Sequence, residues 1–413
     1  MRIHQKRLSI HMVSVRLVIA FFGIVSILSI DGVASVPALA RTHSATSALR
    51  DVVLVGNSVS GTVSFLDGHT FSNLGSLNVI PDLQQRFAEM SPIDWAGYEA
   101  VKQQEGGDRF VDDLAVSPDG RTLYVSRGNL ADLVAFDLVT HQMLWRFKVA
   151  GFHADHIALS PDGSQLVISA TTAQEAQVID PRTGTLTGSF ATGTYPHQND
   201  YSANGQHIYN SSIGITAFPQ ALELLKGSLQ LTVVNARTLK VIRTYSFAHG
   251  IRPSVITPDE HTMYAELSYL NGFIEFDLTT GKITRTVNMP YSAAAQTLSP
   301  DSYPLNSAHH GLAMSGDGSK LCDVGTIDNY VAIISRPALT TDHIIPVGNM
   351  PYWATTSSDG NYCLVSNSKD NSVSVISYST AQEIVRIPVG SFPQRERLGA
   401  VTPEALSSLA PAS

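Results

Sequence analysis

Short apolar runs, separated by a four-residue polar turn, recur along this chain. Leu114 to Val116 and Leu123 to Val125 flank Ser117-Pro118-Asp119-Gly120. Pro presets φ and Gly tolerates positive φ, so the stretch reads as a β-hairpin. The pattern returns at Ser160-Pro161-Asp162-Gly163, Ser202-Ala203-Asn204-Gly205, Thr257-Pro258-Asp259-Glu260, Ser315-Gly316-Asp317-Gly318 and Ser357-Ser358-Asp359-Gly360. The steps between turn starts are 43, 42, 55, 58 and 42 residues. A third and a fourth strand joined by another tight turn follow each hairpin, as in Leu133 to Asp137 and Met143 to Phe147. A period just over forty residues, with four short strands per unit, is the signature of a β-propeller. The alternation within each strand fits sheets stacked face to face.

Six such units begin near residues 110, 153, 197, 251, 309 and 351. Three further strands, Asp51 to Asn57, Gly61 to Asp67 and Leu74 to Ile80, have no hairpin before them. Their missing innermost strand is available around Arg397 to Val401. Pairing the two ends in one composite blade removes the exposed edge that an open array would leave. The expectation is an all-β, seven-bladed propeller over residues 51–402, with residues 403–413 as a C-terminal tail.

The N-terminus changes the picture of where the chain works. Arg2, Lys6, Arg7 and Arg16 form a basic leader, Leu17 to Ile30 is apolar, and Ala38-Leu39-Ala40 offers a small-x-small cleavage pattern. This reads as a signal peptide over residues 1–40, followed by a polar linker over 41–50 and a secreted or periplasmic protein. The apolar run is short for a membrane span, so no membrane association is expected after cleavage. Net charge is −8, and loss of the basic leader makes the mature chain more acidic still. That argues against a nucleic-acid or anionic-membrane partner. Cys322 and Cys363 are the two cysteines. Their opposite parity would aim them at each other across neighbouring blades. Stacked sheets lie about 10 Å apart, though, and a disulfide wants Cα atoms within about 7 Å, which favours two buried free thiols.

The repeats carry Leu-Tyr-Val-Ser (123 to 126), a Val-Ala-Phe-Asp strand, a tight turn, and returns such as Gly348-Asn349-Met350-Pro351 and Gly390-Ser391-Phe392-Pro393. On these residues the chain resembles the YVTN-type seven-bladed propellers, over essentially all of the mature sequence. The resemblance implies the fold. It leaves the function open, because related propellers include secreted binding proteins, lactonases and cofactor-free heavy subunits of amine dehydrogenases.

Extra length is spent on one rim. Residues 81–109, 216–226 and 288–308 extend connections that all emerge on the same face, while the turns of the opposite face stay minimal. Long loops at one end of a rigid scaffold are where binding sites reside. The same rim receives the start of every innermost strand. Counting five back from each turn gives Asp112, Asp155, His197, Arg252, His310 and Tyr352, with Gln394 by extrapolation. The residues that follow include His156, Trp353 and Arg395.

Three readings of this mouth stand side by side: solvated channel lining, a binding site, or an active centre. For binding, Arg252, Tyr352, Trp353, Gln394 and Arg395 are the candidates, with Arg as anion donor and aromatic residues as walls. For catalysis, His197, His310 or His156 would act as general base, polarised by Asp112 or Asp155. His153, His156, His197 and His310 are candidate ligands for a divalent metal; the cofactor is otherwise left open. His309 and His310 are adjacent, so both cannot face the axis unless the strand bends. The function ranked first is recognition of a small-molecule or protein ligand at the channel mouth without chemistry. The alternatives are a hydrolase or lyase acting on a small substrate in the channel, and a cofactor-free subunit of an oxidoreductase.

Overall fold

Each inner hairpin is built by the same three side-chain bonds. In the first, Ser117 Oγ donates to Asp119 Oδ1 at 2.5 Å, Arg121 N donates to Asp119 Oδ1 at 3.2 Å and Thr122 N donates to Ser117 Oγ at 2.9 Å, while Gly120 takes φ 69°. The bond from the turn-starting hydroxyl to the third residue is repeated at Ser160, Ser202, Thr257, Ser315 and Ser357. A short polar side chain that closes its own turn is why this tetrapeptide, and not its hydrophobicity, sets the register of both strands.

The computed structural model describes residues 48–411. Within them seven antiparallel four-stranded sheets form. Six are consecutive in sequence, such as Asp113–Val116, Thr122–Arg127, Asp132–Asp137 and Met143–Lys148. The seventh is composite: Pro393–Val401 pairs with Arg50–Asn57, then come Thr62–Asp67 and Asn73–Asn78. Its seam is antiparallel, with Arg50 opposite Val401 and Val53 opposite Leu398. The seven innermost strands contact one another in sequence, and the last contacts the first, so the ring is closed. The chain is a seven-bladed β-propeller. The expected signal peptide and the first part of the expected linker lie outside the described residues.

The core consists of separate apolar layers between neighbouring sheets. Val52, Leu54 and Phe65 of the composite blade meet Leu114, Leu123 and Val125 of the next. Inner and second strands are buried almost throughout, whereas fourth strands are largely exposed; in Met143–Lys148 half-buried and exposed positions alternate. The outer edge of the composite blade is covered. After Val401 a short helix, Pro403–Ser408, is capped by Thr402, and Ala410 bridges Ser76 on the outermost strand. The stretch read as a tail therefore shields an otherwise open edge.

The cysteines require a correction. Cys322 and Cys363 are disulfide-bonded, with Cα atoms 6.5 Å apart. The 10 Å spacing that favoured free thiols holds for sheet faces separated by full side chains. Here the two hairpin turns touch: Gly316 N donates to Gly360 O at 3.0 Å, and a Cβ on Gly316 would stand 2.7 Å from Gly360 Cα. Gly316 occupies the position of Pro118 and Pro161. Its missing side chain draws these two blades together at the cysteines.

The three insertions meet over one mouth of the ring. The first forms helices Leu83–Glu89 and Pro92–Glu105, the second opened by a capping box between Ser91 and Asp94 and closed by Gly106 at φ 72°. It is anchored by Arg127, fully buried, which binds Asp132 and Asp82, while Arg86 reaches Asp132 at 2.9 Å. Gln104 of this insertion bonds Thr216 of the second. Gln220 N donates to Asp301 Oδ1 of the third at 2.7 Å, and buried Lys226 donates to Asn306 Oδ1 at 2.7 Å.

Candidate functional site

Each innermost strand enters the ring from the insertion face, and its first residues turn toward the axis. Asp112, His153, Asp155, His197, Arg252, Tyr352, Gln394 and Arg395 line one narrow chamber there. Its roof comes from the insertions, through Gln104, Glu105, Thr216 and Leu305. The chamber is about 30 Å³, room for a few water-sized groups. A wider vestibule of about 340 Å³ lies outside and carries Arg109, Lys369 and Phe392. The two share Gln104, Glu105, Leu305, Tyr352 and Gln394, which form the wall between them.

The chamber has a basic and an acidic side. On the basic side Arg252 is fully buried; its Nε donates to Ser268 Oγ at 3.0 Å and its Nη2 to Leu305 O, while Nη1 has no partner. Among the described residues it forms no ion pair, and burial pulls its pKa down. His197 beside it has an unpartnered Nδ1. Burial, reinforced by His156 and His310, depresses the pKa of His197 well below its usual value, so its ring is neutral.

On the acidic side Glu105, Asp112 and Asp155 gather around His153. His153 Nε2 lies 3.4 Å from Asp112 Oδ2. Burial opposes charge on His153, but the bond to Asp112 and the field of Glu105 prevail and raise its pKa to about 9. Burial first, and then the charge of Asp112, raise the Asp155 carboxyl far above the carboxylate range.

Three of the sequence candidates sit behind this chamber rather than in its wall. His156 is closed in by two guanidiniums: Arg395 reaches its Nε2, and Arg397 lies 3.4 Å from its Nδ1. Burial and these two charges drive its pKa well below 6.5. Trp353 is stacked under both, with Arg395 4.5 Å and Arg397 4.9 Å from its ring centre. His310 stacks on Tyr352 at 4.0 Å and donates from Nδ1 to Tyr352 O at 2.9 Å. His197 links the chamber to this second layer, its ring 4.3 Å from His156 and 5.6 Å from His310.

His309, as the strand alternation requires, faces the other way. It bonds Asp323 at 3.0 Å and Asn271 at 3.1 Å between two blades. Beside it lies Glu266, whose carboxylate accepts the Gly311 N–H. Sequence reasoning did not find Glu105, which ends an insertion helix, nor the Arg397–Asp113 pair at 2.6 Å. For Arg397, the signal was the parity of the closing strand, two residues beyond Arg395.

The fold and the chamber together define a seven-bladed propeller with a charged axial chamber under an insertion roof. No family model matches the sequence, and no curated protein matches it. Among solved structures it is similar to a chain of Kuenenia stuttgartiensis hydrazine synthase. The TM-score is 0.54 at 16% identity, covering 69% of this chain and 88% of that one. At that identity the likeness is one of fold.

Proposed function

We propose that this propeller binds a small anion, a carboxylate or comparable oxyanion, in the axial chamber, without chemistry. The observation that carries the reading is Arg252: a guanidinium buried without an ion pair among the described residues, with one nitrogen unpartnered, in a residue that lines the cavity. An uncompensated buried charge is costly, and an anionic ligand supplies the missing counter-charge with charge-assisted hydrogen bonds. The chamber size restricts the ligand to a few heavy atoms, and Gln394 and Tyr352 control passage from the vestibule. Calorimetric titration with formate, acetate and nitrate should show 1:1 binding by at least one of them. Arg252→Gln should weaken that binding by roughly tenfold or more, since a hydrogen bond to a charged group contributes about 1.5–3 kcal/mol. Equal affinity in the variant would remove the assignment.

A second reading, acid–base catalysis, draws on His197, whose neutral ring and free Nδ1 lie in the same cavity as Arg252. Turnover of a bound ester or lactone, lost in His197→Gln with binding retained, would favour it. The repeat pattern supports placing the chain with the YVTN-type propellers.

We also propose export. The basic leader, apolar run and Ala38-Leu39-Ala40 pattern support it, and a disulfide between blades suits an oxidising compartment. Expressed at full length, the protein should accumulate outside the cytoplasm with Arg41 as its first residue. Retention of residues 1–40 in the recovered chain would count against cleavage.

A further inference from the structure

We infer that the acidic side of the chamber is a site for one divalent first-row cation, held by Asp112, His153 and Asp155 with Glu105 at its edge. This differs from the histidine set that the sequence suggests. His156 is flanked by the guanidiniums of Arg395 and Arg397, which exclude a cation, and His310 spends Nδ1 on Tyr352 O. The three residues named here offer one ligand atom each, all within 4.8 Å of one another, and all three are buried yet line the cavity.

The arrangement has what a metal site needs beyond donor count. The Nδ1 of His153 is buried and has no partner. Asp112 turns Oδ1 to Arg395 at 3.5 Å and Oδ2 toward His153, so one oxygen stays free of the guanidinium. The carboxylate of Asp155 is oriented from behind, Oδ1 accepting the His156 N–H at 2.9 Å and Oδ2 the Thr171 hydroxyl at 3.3 Å. Outer bonds of this kind fix a ligand and leave it a lone pair for the ion. Space beside the pair is kept by Gly128, where a Cβ would stand 3.1 Å from His153 Cε1 and 3.3 Å from Asp112 Oδ2. One imidazole with carboxylates suits Mn²⁺ or Zn²⁺. The cation site and Arg252 line the same chamber, so the two ligands would interact; metal titrated without added anion tests the cation site alone.

The experiment uses the metal alone. Protein stripped with chelator and titrated with Mn²⁺ or Zn²⁺ by calorimetry should take up one ion per chain. Asp155→Asn and His153→Gln should each weaken uptake by roughly tenfold or more. Glu266→Gln, in the Glu266–His309–Asp323 cluster between two blades, should leave it unchanged. Co²⁺-loaded wild type provides a readout that needs no variant: a paramagnetically shifted imidazole N–H assigned to His153. Absence of saturable uptake, uptake undiminished in both chamber variants, loss of uptake in Glu266→Gln, or a Co²⁺ spectrum with no shifted His153 signal would each overturn the assignment.

Discussion

Glu260 takes φ 59° in a turn where its counterparts are glycine. A non-glycine residue there is strained, and the side chain offsets the strain through its contacts. The carboxylate accepts Tyr209 Oη at 2.5 Å and bonds His207 Nδ1 at 2.6 Å across to the neighbouring blade. Burial alone would raise its pKa, yet the bonds from Tyr209 and His207 outweigh it and the net shift is downward. A carboxyl with a depressed folded-state pKa contributes stability that is present above its unfolded value, about 4.3, and lost as pH falls through the folded one. Glu260→Gln should therefore lower stability at pH 7 by about 1 kcal/mol. It should also flatten the acid limb of the stability curve below about pH 5, as read by urea unfolding across pH. An acid limb identical to wild type would show that the carboxylate's charge is idle. The sequence marks position 260 as a departure from the repeat but says nothing of Tyr209, which lies 51 residues away. The chamber follows the same rule. Counting back from each turn reaches Asp112, Asp155, His197 and Arg252 because strand alternation is local. Which of the inward residues are screened, as His156 is by Arg395, depends on side chains from the other end of the chain.

At the scale of elements, the repeat unit was legible and the spacing between particular blades was not. Hairpin chemistry is written within six residues, so strands and their order could be read directly. The distance between two blades is set by what lies between them, and a single missing ring at Gly316 was enough to invalidate a general sheet spacing. The resulting Cys322–Cys363 bridge spans 41 residues of sequence. On the loop-entropy account, closing a loop of that length stabilises by about 4 kcal/mol. The paired Cys322→Ser, Cys363→Ser variant should unfold at lower denaturant with the ring otherwise intact, as judged by its far-ultraviolet circular dichroism. A midpoint equal to that of the oxidised wild type would show that the bond adds nothing. The insertions were legible as excess length on one face. Their mutual bonds, Gln104 to Thr216 and Gln220 to Asp301, join segments far apart in sequence, and nothing local announces them. Glu105 belongs to the site because the Arg127 and Arg86 anchors and the Gln104–Thr216 bond hold its helix end over the axis.

At the scale of the whole molecule, repetition supplies the scaffold and departures from it supply the site. Six near-identical turns define a ring, whereas the polar residues at its mouth differ from blade to blade, which is how one opening acquires both a basic and an acidic side. The closing strand was read from an absence: three strands that lacked a first. Its structural form is longer than the sequence implied, Pro393–Val401, and this added length delivers Gln394 and Arg395 to the chamber.

That seam bears on how freely the polypeptide can be rewired. Arg50 faces Val401 in an antiparallel pair, so a short loop could splice the old ends into one more hairpin and new ends could be opened at an outer turn such as Thr183-Gly184. The start and finish of the gene then become a matter of where a circle is cut. A permuted chain would carry the same chamber, assembled in a different order of synthesis.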